Sequence, residues 1–373
     1  MKIKLPKWYD LHAHFRQGDI MPFMIKDHLA MGCAGILAMP NTKPPVAKVF
    51  KKYPLPYWSI EDYLEQLRQA GGHAFEDIIV PLYLTKDTTA AMIEDGAKSG
   101  LLRACKYYPP HGTTGAEHST DFRSFIENGV FGAMAEAGII LCVHGEHHGM
   151  RPEDYFSRQT NAEEEFYRNH MPRLLDRHQK LRIVAEHLTT KTAVDLVTQT
   201  DNMAASITPQ HLLYTIGHLL QGLKYHLYCM PLVKFEEDRQ ALREAVTASQ
   251  NTKFFAGTDS APHTKKATSC GCAAGCYTGG IAPQLYAQAF EMSGINLSEP
   301  QEQIVFENFL CRNGAVFYRL PVSKETFILE KKEQRIFKIQ TSFGEIIPLP
   351  LGMQNEDTTQ ITAIPWCIAS NYL

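Results

Sequence analysis

At 373 residues the chain is long enough for two average domains, and it is also a usual size for one large α/β barrel with additions. Apolar residues make up 44% of it and charged residues 21%, which is typical of a globular protein with ample core-forming side chains. The formal net charge of -3 excludes a general attraction to nucleic acid or to anionic membranes. We therefore expect any anion to bind at a local site.

The opening residues, MKIKLPKWYDLHAHF, lack the apolar stretch of a signal peptide, and no later segment is apolar enough to span a bilayer. Nine cysteines in a chain without a secretory signal do not predict a disulfide framework. These features predict a cytoplasmic protein without nucleic-acid or membrane partners.

Eight short apolar runs recur along the chain, and most are followed by a stretch with helical periodicity. The predicted strands are residues 8–14, 35–40, 78–84, 102–108, 139–144, 182–187, 203–208 and 254–259. The predicted helices include residues 59–70, 88–98, 122–137, 161–178, 191–200 and 236–249. Buried-type strands that alternate with helices indicate a parallel sheet with helices outside it.

Eight such units match the number that closes a (β/α)8 TIM barrel, so we predict an α/β fold of this kind. The alternative is an open, doubly wound sheet; its nucleotide-binding form is disfavoured because no glycine-rich phosphate-binding turn follows the first strand. After residue 261 the alternation stops, 281–315 reads as helical, and 320–373 reads as short strands and turns. We predict a barrel over 1–320 and a C-terminal extension over 321–373 packed on it, with a separate second domain as the alternative.

Metal-capable side chains follow several of the predicted strands. His12 and His14 stand two residues apart in the first strand, so both side chains project to one face. A pair of histidines alone is more often part of a half-buried strand. However, His144, His187 and Asp259 lie at the ends of the fifth, sixth and eighth strands, where barrel enzymes assemble their active sites. Together these residues predict a site for zinc or a similar divalent ion.

Five protein ligands exceed the three of a usual catalytic zinc and are too few for two ions. Lys106, at the end of the fourth strand, is a possible sixth ligand. A protonated ammonium has no lone pair, so this lysine could bind metal only when deprotonated or converted to a carbamate. The alternative is an ordinary surface or ion-pairing lysine.

A series of motifs makes the interpretation specific. In chain order they are YDLHAHFRQGD, AMPNTKPP, CKYYPPHGTT, LCVHGE, VAEHLTTK, ITPQHLL, HLYCMPLVK and GTDSAPH followed by SCGCAAGC. Over roughly residues 8 to 320 the chain resembles the bacterial-type homodimeric dihydroorotases of the amidohydrolase superfamily. The resemblance implies a homodimeric hydrolase of cyclic amides that closes N-carbamoyl-L-aspartate to L-dihydroorotate, and reopens it, in pyrimidine (UMP) biosynthesis.

The resemblance also implies two zinc ions per subunit, bridged by an N6-carboxylated Lys106 and a hydroxide. His12, His14 and Asp259 complete the more buried metal site, and His144 and His187 complete the other. Asp259 is further expected to move a proton between the hydroxide and the ring nitrogen. The alternative for Asp259 is a metal ligand without a proton role, and the two roles are compatible.

The substrate carries a carboxylate that must be held while its ring carbonyl faces the metals. Arg16 can bind a carboxylate with two parallel hydrogen bonds, and Asn41 and His263 are further polar groups near strand ends. By resemblance these three form the carboxylate-binding set of the family. Each alone is more often a structural polar residue.

The resemblance assigns backbone contacts with the substrate to the segment at Met230 and to a cysteine-rich loop. Within the loop, Ala274 and Gly275 are the expected contacts, and Ala273 stays an alternative because the length of the loop differs from the family pattern. Three cysteines, 270, 272 and 276, leave a structural zinc site as an alternative, but their spacing is unusual for zinc.

Thr113 and Thr114 are expected in a mobile lid that bonds the substrate and excludes water. The alternative is an ordinary connector, and Pro110 and His111 depart from the family pattern.

Three other functions remain open. A hydantoinase or allantoinase shares the metal set and differs in the substrate-binding residues. A mononuclear deaminase is disfavoured because it needs no counterpart of Lys106. A non-catalytic scaffold is also disfavoured, because such a protein is free to lose its ligands and every expected one is present here.

Overall fold

The computed structural model describes residues 1–110, 112, 115–269, 271–354 and 362–369, and over these residues the chain is a mixed α/β protein. The strands are β1 (Lys2–Pro6), β2 (Trp8–Ala13), β3 (Cys33–Ala38), β4 (Val46–Lys48), β5 (Trp58–Ser59), β6 (Asp77–Ile79), β7 (Leu82–Tyr83), β8 (Ala104–Tyr107), β9 (Ile140–Val143), β10 (Ile183–Ala185), β11 (Met203–Ile207), β12 (Phe254–Ala256), β13 (Ala267–Thr268), β14 (Gly271–Cys272), β15 (Thr326–Glu330), β16 (Gln334–Ile336), β17 (Ile339–Thr341), β18 (Gly344–Ile346), β19 (Thr362–Ile364) and β20 (Cys367–Ile368). The helices are α1 (Ile20–Ala30), α2 (Ile60–Gln69), α3 (Ala90–Lys98), α4 (Phe122–Glu127), α5 (Val130–Ala137), α6 (Pro152–Tyr155), α7 (Ala162–Asn169), α8 (Met171–Arg177), α9 (Lys191–Gln199), α10 (Pro209–Leu213), α11 (Ile216–Leu220), α12 (Glu236–Thr247), α13 (Ala282–Met292), α14 (Pro300–Glu307) and α15 (Asn313–Tyr318), with a π-helical turn at Asn308–Arg312.

The eight predicted strands are confirmed, and they pair in parallel. One sheet has the order β12-β11-β10-β9-β8-β7 and a second has the order β2-β3-β6. The predicted strand over 78–84 is divided into β6 and β7. Pro81 lies between the two pieces, and its missing N–H interrupts the hydrogen-bond ladder there.

Both faces of the central strands are buried. Along β9, Leu141 and Val143 belong to the large core cluster, whereas Ile140 and Cys142 belong to a second, smaller cluster. This alternation explains why the strand reads as a continuous apolar run in the sequence, because a parallel sheet with cover on both sides has no polar face.

The end of β2 lies against the segment that follows β12. The amide of Asp259 donates to the carbonyl of His12 at 2.8 Å, and the amide of His14 donates to the carbonyl of Ser260 at 3.0 Å. Ala13 and Ser260 form a parallel bridge. These bonds bring the first and last predicted strands of the series together at their carboxyl ends.

The predicted helices lie at the expected positions in the chain, but two of them are divided where the prediction has one continuous helix. The prediction of one helix over 122–137 is wrong, because the chain forms α4 and α5 with Gly129 between them at a φ of 86°. The prediction of one helix over 161–178 is also wrong, because α8 starts anew with Pro172 near its first position. The helix α1 was not predicted. By contrast, α2 begins where Ser59 and Asp62 form a reciprocal capping box.

The C-terminal strands pair with the N-terminus of the chain. The strand β1 is antiparallel to β15, which in turn pairs with β20. Phe327 in β15 is buried and lies against Gly32, at the start of β3, where no side chain would fit. The sheet of the C-terminal segment thus includes residues from both ends of the chain, and the division at residue 320 stays a prediction.

Within the part of the chain that the structure describes, no helix combines the length and apolar character needed to cross a bilayer. The eight described cysteines are free thiols, and six of them are buried.

Candidate metal centre

Three predicted ligands meet at the junction of β2 with the segment after β12. The metal-binding atoms offered by His12, His14 and Asp259 all lie within 4.8 Å of one another, and all three side chains are buried. The Nε2 of His14 is 2.9 Å from Oδ1 of Asp259, and the Nε2 of His12 is 3.4 Å from the same oxygen. Two imidazoles and a carboxylate at these separations form a suitable donor set for zinc.

The other two predicted histidines lie beside this cluster. The ring centroid of His187 is 4.9 Å from that of His12 and 4.6 Å from that of His144. His187 and Asp259 also hold the left-handed backbone conformation, with φ of 43° and 50°. Such strain in residues other than glycine is concentrated at functional sites, because the surrounding structure must offset its cost.

Lys106 lies on β8 and is fully buried. Among the described residues its Nζ has no hydrogen-bond acceptor, and it lies 5.1 Å from the ring centroid of Tyr108. Burial lowers the pKa of this amine, although Glu186 and Asp259 oppose that effect. The alternative of a surface lysine is therefore wrong, because the side chain has no access to solvent.

Three polar side chains contact the imidazoles of the predicted ligands, and only one of them was predicted to be near the site. Glu186 Oε2 is 2.6 Å from Nδ1 of His12, and Asn41 Oδ1 is 2.8 Å from Nδ1 of His14. Each Nδ1 therefore donates its proton to oxygen, so that Nε2 is the nitrogen that would bind a metal. Glu146 was missed as well as Glu186, although Glu186 directly precedes the predicted ligand His187 and Glu146 stands two residues after the predicted ligand His144.

Glu146 contacts Nε2 of His144, whereas the contacts of His12 and His14 described above are made by Nδ1. Its Oε2 lies 2.7 Å from Nε2 of His144, so Nδ1 is the nitrogen left for a metal. Ser206 forms hydrogen bonds with both Glu186 and His187. Its hydroxyl donates to the carboxylate of Glu186 and accepts from the amide of His187. No sequence pattern distinguishes Ser206, because a lone serine in a strand is common.

Burial and nearby charges set the protonation of the site. At His12 burial alone lowers the pKa, but the carboxylates of Glu186 and Asp259 outweigh it and raise the pKa. Burial lowers the pKa of His14 to about 4 and that of His187 well below its usual value, so both rings are neutral at physiological pH. For Asp259, burial alone raises the pKa, but the adjacent His12 and His14 outweigh it and hold the carboxyl pKa well below its usual range. Neutral imidazoles and an ionised carboxylate are the forms that bind a cation.

The predicted substrate-binding side chains border the metal cluster. A cavity of about 20 Å³ is lined by most of the predicted residues: His12, His14, Arg16, Asn41, His144, His187, Met230, Asp259, Ala274 and Gly275. It lies between two larger cavities of about 550 Å³ and 420 Å³, which share Arg16 and Met230 with it, respectively. No carboxylate of the described residues lies within ion-pair distance of Arg16, and Nη2 of Arg16 lies 3.5 Å from Nε2 of His263.

His263 and the cysteine-rich loop are in direct contact. The Nε2 of His263 donates to the carbonyl of Ala274 at 2.8 Å. A side chain at Gly275 would collide with Ala261 and with His263, which explains why the sequence has glycine there. The thiols of Cys272 and Cys276 face the carbonyls of Tyr225 and His226, whereas Cys270 lies outside the described residues, as do Thr113 and Thr114 of the expected lid.

A cluster of histidines and an aspartate at the carboxyl ends of parallel strands, in a mixed α/β chain, defines the amidohydrolase class of metal-dependent hydrolases. The comparisons with known proteins specify the family. The chain is 41% identical to the dihydroorotase of Halorhodospira halophila over 359 residues, which span 94% of this chain and 96% of that protein. It is 39% identical to the dihydroorotase of Alkalilimnicola ehrlichii, with 88% and 91% of the two chains covered. The chain therefore belongs to the dihydroorotase family, and it is a hydrolase that acts on cyclic amides.

Solved structures agree with this assignment. The dihydroorotase of Saccharomyces cerevisiae in complex with 5-fluoroorotic acid superposes with a TM-score of 0.83 at 26% identity, covering 99% of this chain and 98% of that one. The L-hydantoinase of Arthrobacter aurescens has a TM-score of 0.69 at 16% identity, covering 98% and 84%, which shows likeness of fold alone. No protein-family model matches the chain.

Proposed function

We propose that this chain catalyses the reversible cyclisation of N-carbamoyl-L-aspartate to L-dihydroorotate in pyrimidine biosynthesis, with two zinc ions per subunit. The observation that carries the proposal is the buried cluster of His12, His14 and Asp259, in a chain of the dihydroorotase family. A cluster of this kind needs a cation, because the Nε2 of His12 has no hydrogen-bond partner among the described residues.

Six side chains would hold the two ions: His12, His14, Lys106, His144, His187 and Asp259. The buried Nδ1 of His187 and Nζ of Lys106 also have no hydrogen-bond partner within the described chain, which fits atoms that bind metal directly or after modification. When bound, a pair of divalent ions lowers the pKa of a water molecule and polarises a carbonyl oxygen.

Carboxylation of Lys106 is chemically consistent with its surroundings. A carbamate forms when a neutral amine attacks carbon dioxide, so that an N–C bond forms and a proton is released. The burial that lowers the pKa of Lys106 favours the neutral amine that this step needs. The resulting anion would add an oxygen donor to a site that otherwise has five ligands.

The substrate carboxylate is bound by Arg16, with Asn41 and His263 beside it. Arg16 has a charged planar head near the metal cluster and no carboxylate of its own within the described residues, so its fork is available for the ligand. The Oδ1 of Asn41 accepts from His14, which links the carboxylate-binding set to the metal cluster.

Asp259 moves the proton of the reaction. In ring opening its carboxylate takes a proton from the attacking water and delivers it to the departing ring nitrogen as the C–N bond breaks; ring closure reverses both transfers. The depressed pKa of Asp259 keeps the carboxylate ionised before the reaction begins, which is the state that a proton acceptor requires.

The backbone at Met230, Ala274 and Gly275 forms the remaining contacts with the substrate. All three residues line the small cavity beside the metal cluster, which supports this role. Thr113 and Thr114 form the lid over the site in this proposal, and their position in the sequence, between Lys106 on β8 and helix α4, agrees with a loop at the carboxyl ends of the strands.

The proposed architecture is a closed barrel with a C-terminal extension. The backbone bonds between β2 and the segment after β12, and the separate core cluster on the inner strand face, support a closed (β/α)8 barrel over 1–320 with an extension over 321–373. The assembly is a homodimer in the cytoplasm that acts on a small molecule, with no nucleic-acid or membrane partner.

The site residues disfavour two alternative functions. A hydantoinase needs no side chain equivalent to Arg16, so the half-buried arginine beside the cavity favours a carboxylated ring. A non-catalytic scaffold has no reason to keep neutral, buried imidazoles around an ionised carboxylate.

The experiment is a direct assay of ring opening. Purified protein, with and without prior chelation, is mixed with dihydroorotate, and the loss of its amide absorbance is followed. Zinc-dependent loss supports the proposal. Protein that holds about two zinc ions but leaves dihydroorotate intact would contradict it, and hydantoins would then be tested in the same assay.

A further inference from the structure

A buried lysine outside the metal centre holds three backbone carbonyls. Lys266 is only 6% exposed, and its Nζ donates to the carbonyls of Tyr228, Ala273 and Gly275 at 2.6, 2.5 and 2.5 Å. An ammonium group has three protons, and here all of them are used. Among the described residues no carboxylate forms an ion pair with Lys266, so the three carbonyl dipoles compensate the buried charge, together with the ring of Tyr228, whose centroid lies 5.9 Å from Nζ.

These three carbonyls belong to the two backbone segments that border the substrate cavity. Tyr228 stands two residues before Met230, while Ala273 and Gly275 stand on either side of Ala274. Met230, Ala274 and Gly275 line the cavity beside the metal cluster. Lys266 therefore joins two separate parts of the chain at the points where both approach the ligand.

The carbonyl of Ala274 lies between those of Ala273 and Gly275 in the sequence, but its hydrogen-bond partner is different from theirs. Ala274 accepts a hydrogen bond from Nε2 of His263, on the substrate side of the loop. Lys266 holds the peptide groups on either side of it, so it sets the direction in which the carbonyl of Ala274 points. Gly275 adds to this constraint because its Cα lies against Ala261 and His263 with no room for a side chain.

A neutral or apolar side chain could not replace this lysine. Backbone bonds supply part of the link, since the amide of Gly275 donates to Tyr228 and that of Ala273 donates to the carbonyl of Lys266. The carbonyl of Gly275, however, depends on the ammonium, and a buried carbonyl without a donor carries the full cost of its desolvation. Loss of the ammonium is thus expected to rotate this peptide group toward another donor.

From this geometry we infer that Lys266 is a positioning residue for substrate binding, acting through the backbone of Met230, Ala274 and Gly275 without touching the substrate. The inference rests on the proposed function for the identity of the ligand. It assigns a role to a residue of the loop after β12 that lies outside both the metal ligands and the carboxylate-binding set.

The test compares Lys266→Met with Lys266→Gln, which keeps two donors, and with Lys180→Met as the control. Lys180 is exposed and precedes β10, at the opposite end of the strands from the metal cluster. Each metal-loaded protein is assayed for bound zinc, for the melting temperature, for the Kd of 5-fluoroorotic acid, and for KM and kcat with dihydroorotate.

We expect Lys266→Met to keep its zinc and to raise both the Kd and the KM by roughly 10- to 100-fold, with a smaller change in kcat. Lys266→Gln is expected to lie between it and wild type, and Lys180→Met to match wild type. A folded Lys266→Met or Lys266→Gln protein with a lower melting temperature but an unchanged Kd would overturn the inference, because that is the result of a purely structural role.

The Kd and turnover measurements distinguish a failure of this inference from a failure of the proposed function. If the wild-type protein binds 5-fluoroorotic acid but does not open dihydroorotate, the proposed function fails while the Kd comparison still decides the role of Lys266. If Lys266→Met does not fold, the Kd measured for Lys266→Gln decides it.

Discussion

The Nδ1 of His12 lies 2.6 Å from Oε2 of Glu186, and both side chains are almost completely buried. This contact selects the tautomer of His12, because the proton on Nδ1 must point to the carboxylate. Nε2 is then the nitrogen that would bind a metal, and it lies on the side of the ring where Asp259 is found. A carboxylate in this position also raises the basicity of the ligand nitrogen.

Removal of the charge on Glu186 is therefore expected to weaken metal binding. Glu186→Gln keeps the shape of the side chain and an acceptor for His12, but it lacks the negative charge. We expect zinc affinity to fall by about 10- to 100-fold, as measured by competition with a chelator. The control is Glu94→Gln on the exposed face of α3. Equal affinities for Glu186→Gln and wild type would show that the contact has no effect on the metal.

Recovery of activity in metal-free protein is expected to depend on carbon dioxide. A neutral Lys106 must be carboxylated before it can supply oxygen donors, so zinc added in buffer free of carbon dioxide should restore activity more slowly than zinc added with bicarbonate. Lys106→Met should recover in neither buffer. The time course of ring opening after zinc addition measures this, and identical recovery of wild type in both buffers would exclude a carbamate.

Substitution of Arg16 by lysine is expected to weaken substrate binding in spite of the retained charge. A lysine offers a point charge in place of the planar fork that matches a carboxylate. We expect a cost of about 1.5–3 kcal/mol, measured as a rise in KM for dihydroorotate of roughly 10- to 100-fold at unchanged zinc content. Arg177→Lys in the exposed last turn of α8 is the matched control. A KM equal to that of wild type would remove Arg16 from the carboxylate-binding set.

Asp10 is expected to be a major source of stability. Its buried carboxylate accepts from the amide and hydroxyl of Thr258 at 2.9 and 2.6 Å and lies 3.1 Å from Nε2 of His28. Asp10→Ala leaves these groups unpaired and should lower the free energy of unfolding by about 3–5 kcal/mol, measured by urea denaturation. The exposed Asp176→Ala should change it by less than about 0.5 kcal/mol. A similar, small effect at both positions would contradict the prediction.

The double substitution of Thr113 and Thr114 by alanine tests the expected lid. If the two hydroxyl groups bond the substrate and help to exclude water, turnover should fall while the bound zinc stays at the wild-type level. Steady-state kinetics and metal analysis on the same preparation measure both quantities. Unchanged kinetics would assign this segment to an ordinary connector.

Much of the fold and of the candidate metal centre could be predicted from local patterns. Buried parallel strands leave continuous apolar runs, and metal-capable side chains stand at their carboxyl ends, as His144 does directly after β9 and His187 does two residues after β10. Helix interruptions were harder to predict: α4 and α5 read as one helix because the periodicity continues across Gly129, whose left-handed conformation breaks the chain direction.

By itself the sequence determined the positions of the strands along the chain and the types of metal-capable side chains at their ends, because burial and side-chain chemistry can be recognised in short stretches of neighbouring residues. Only the tertiary structure decided which nitrogen of each histidine is available, that Glu186 serves His12 and not the adjacent His187, and that Lys266 ties Tyr228 to Gly275. Those relationships join residues up to 174 positions apart. They depend on distances and directions between strands, which no local pattern of residue types encodes.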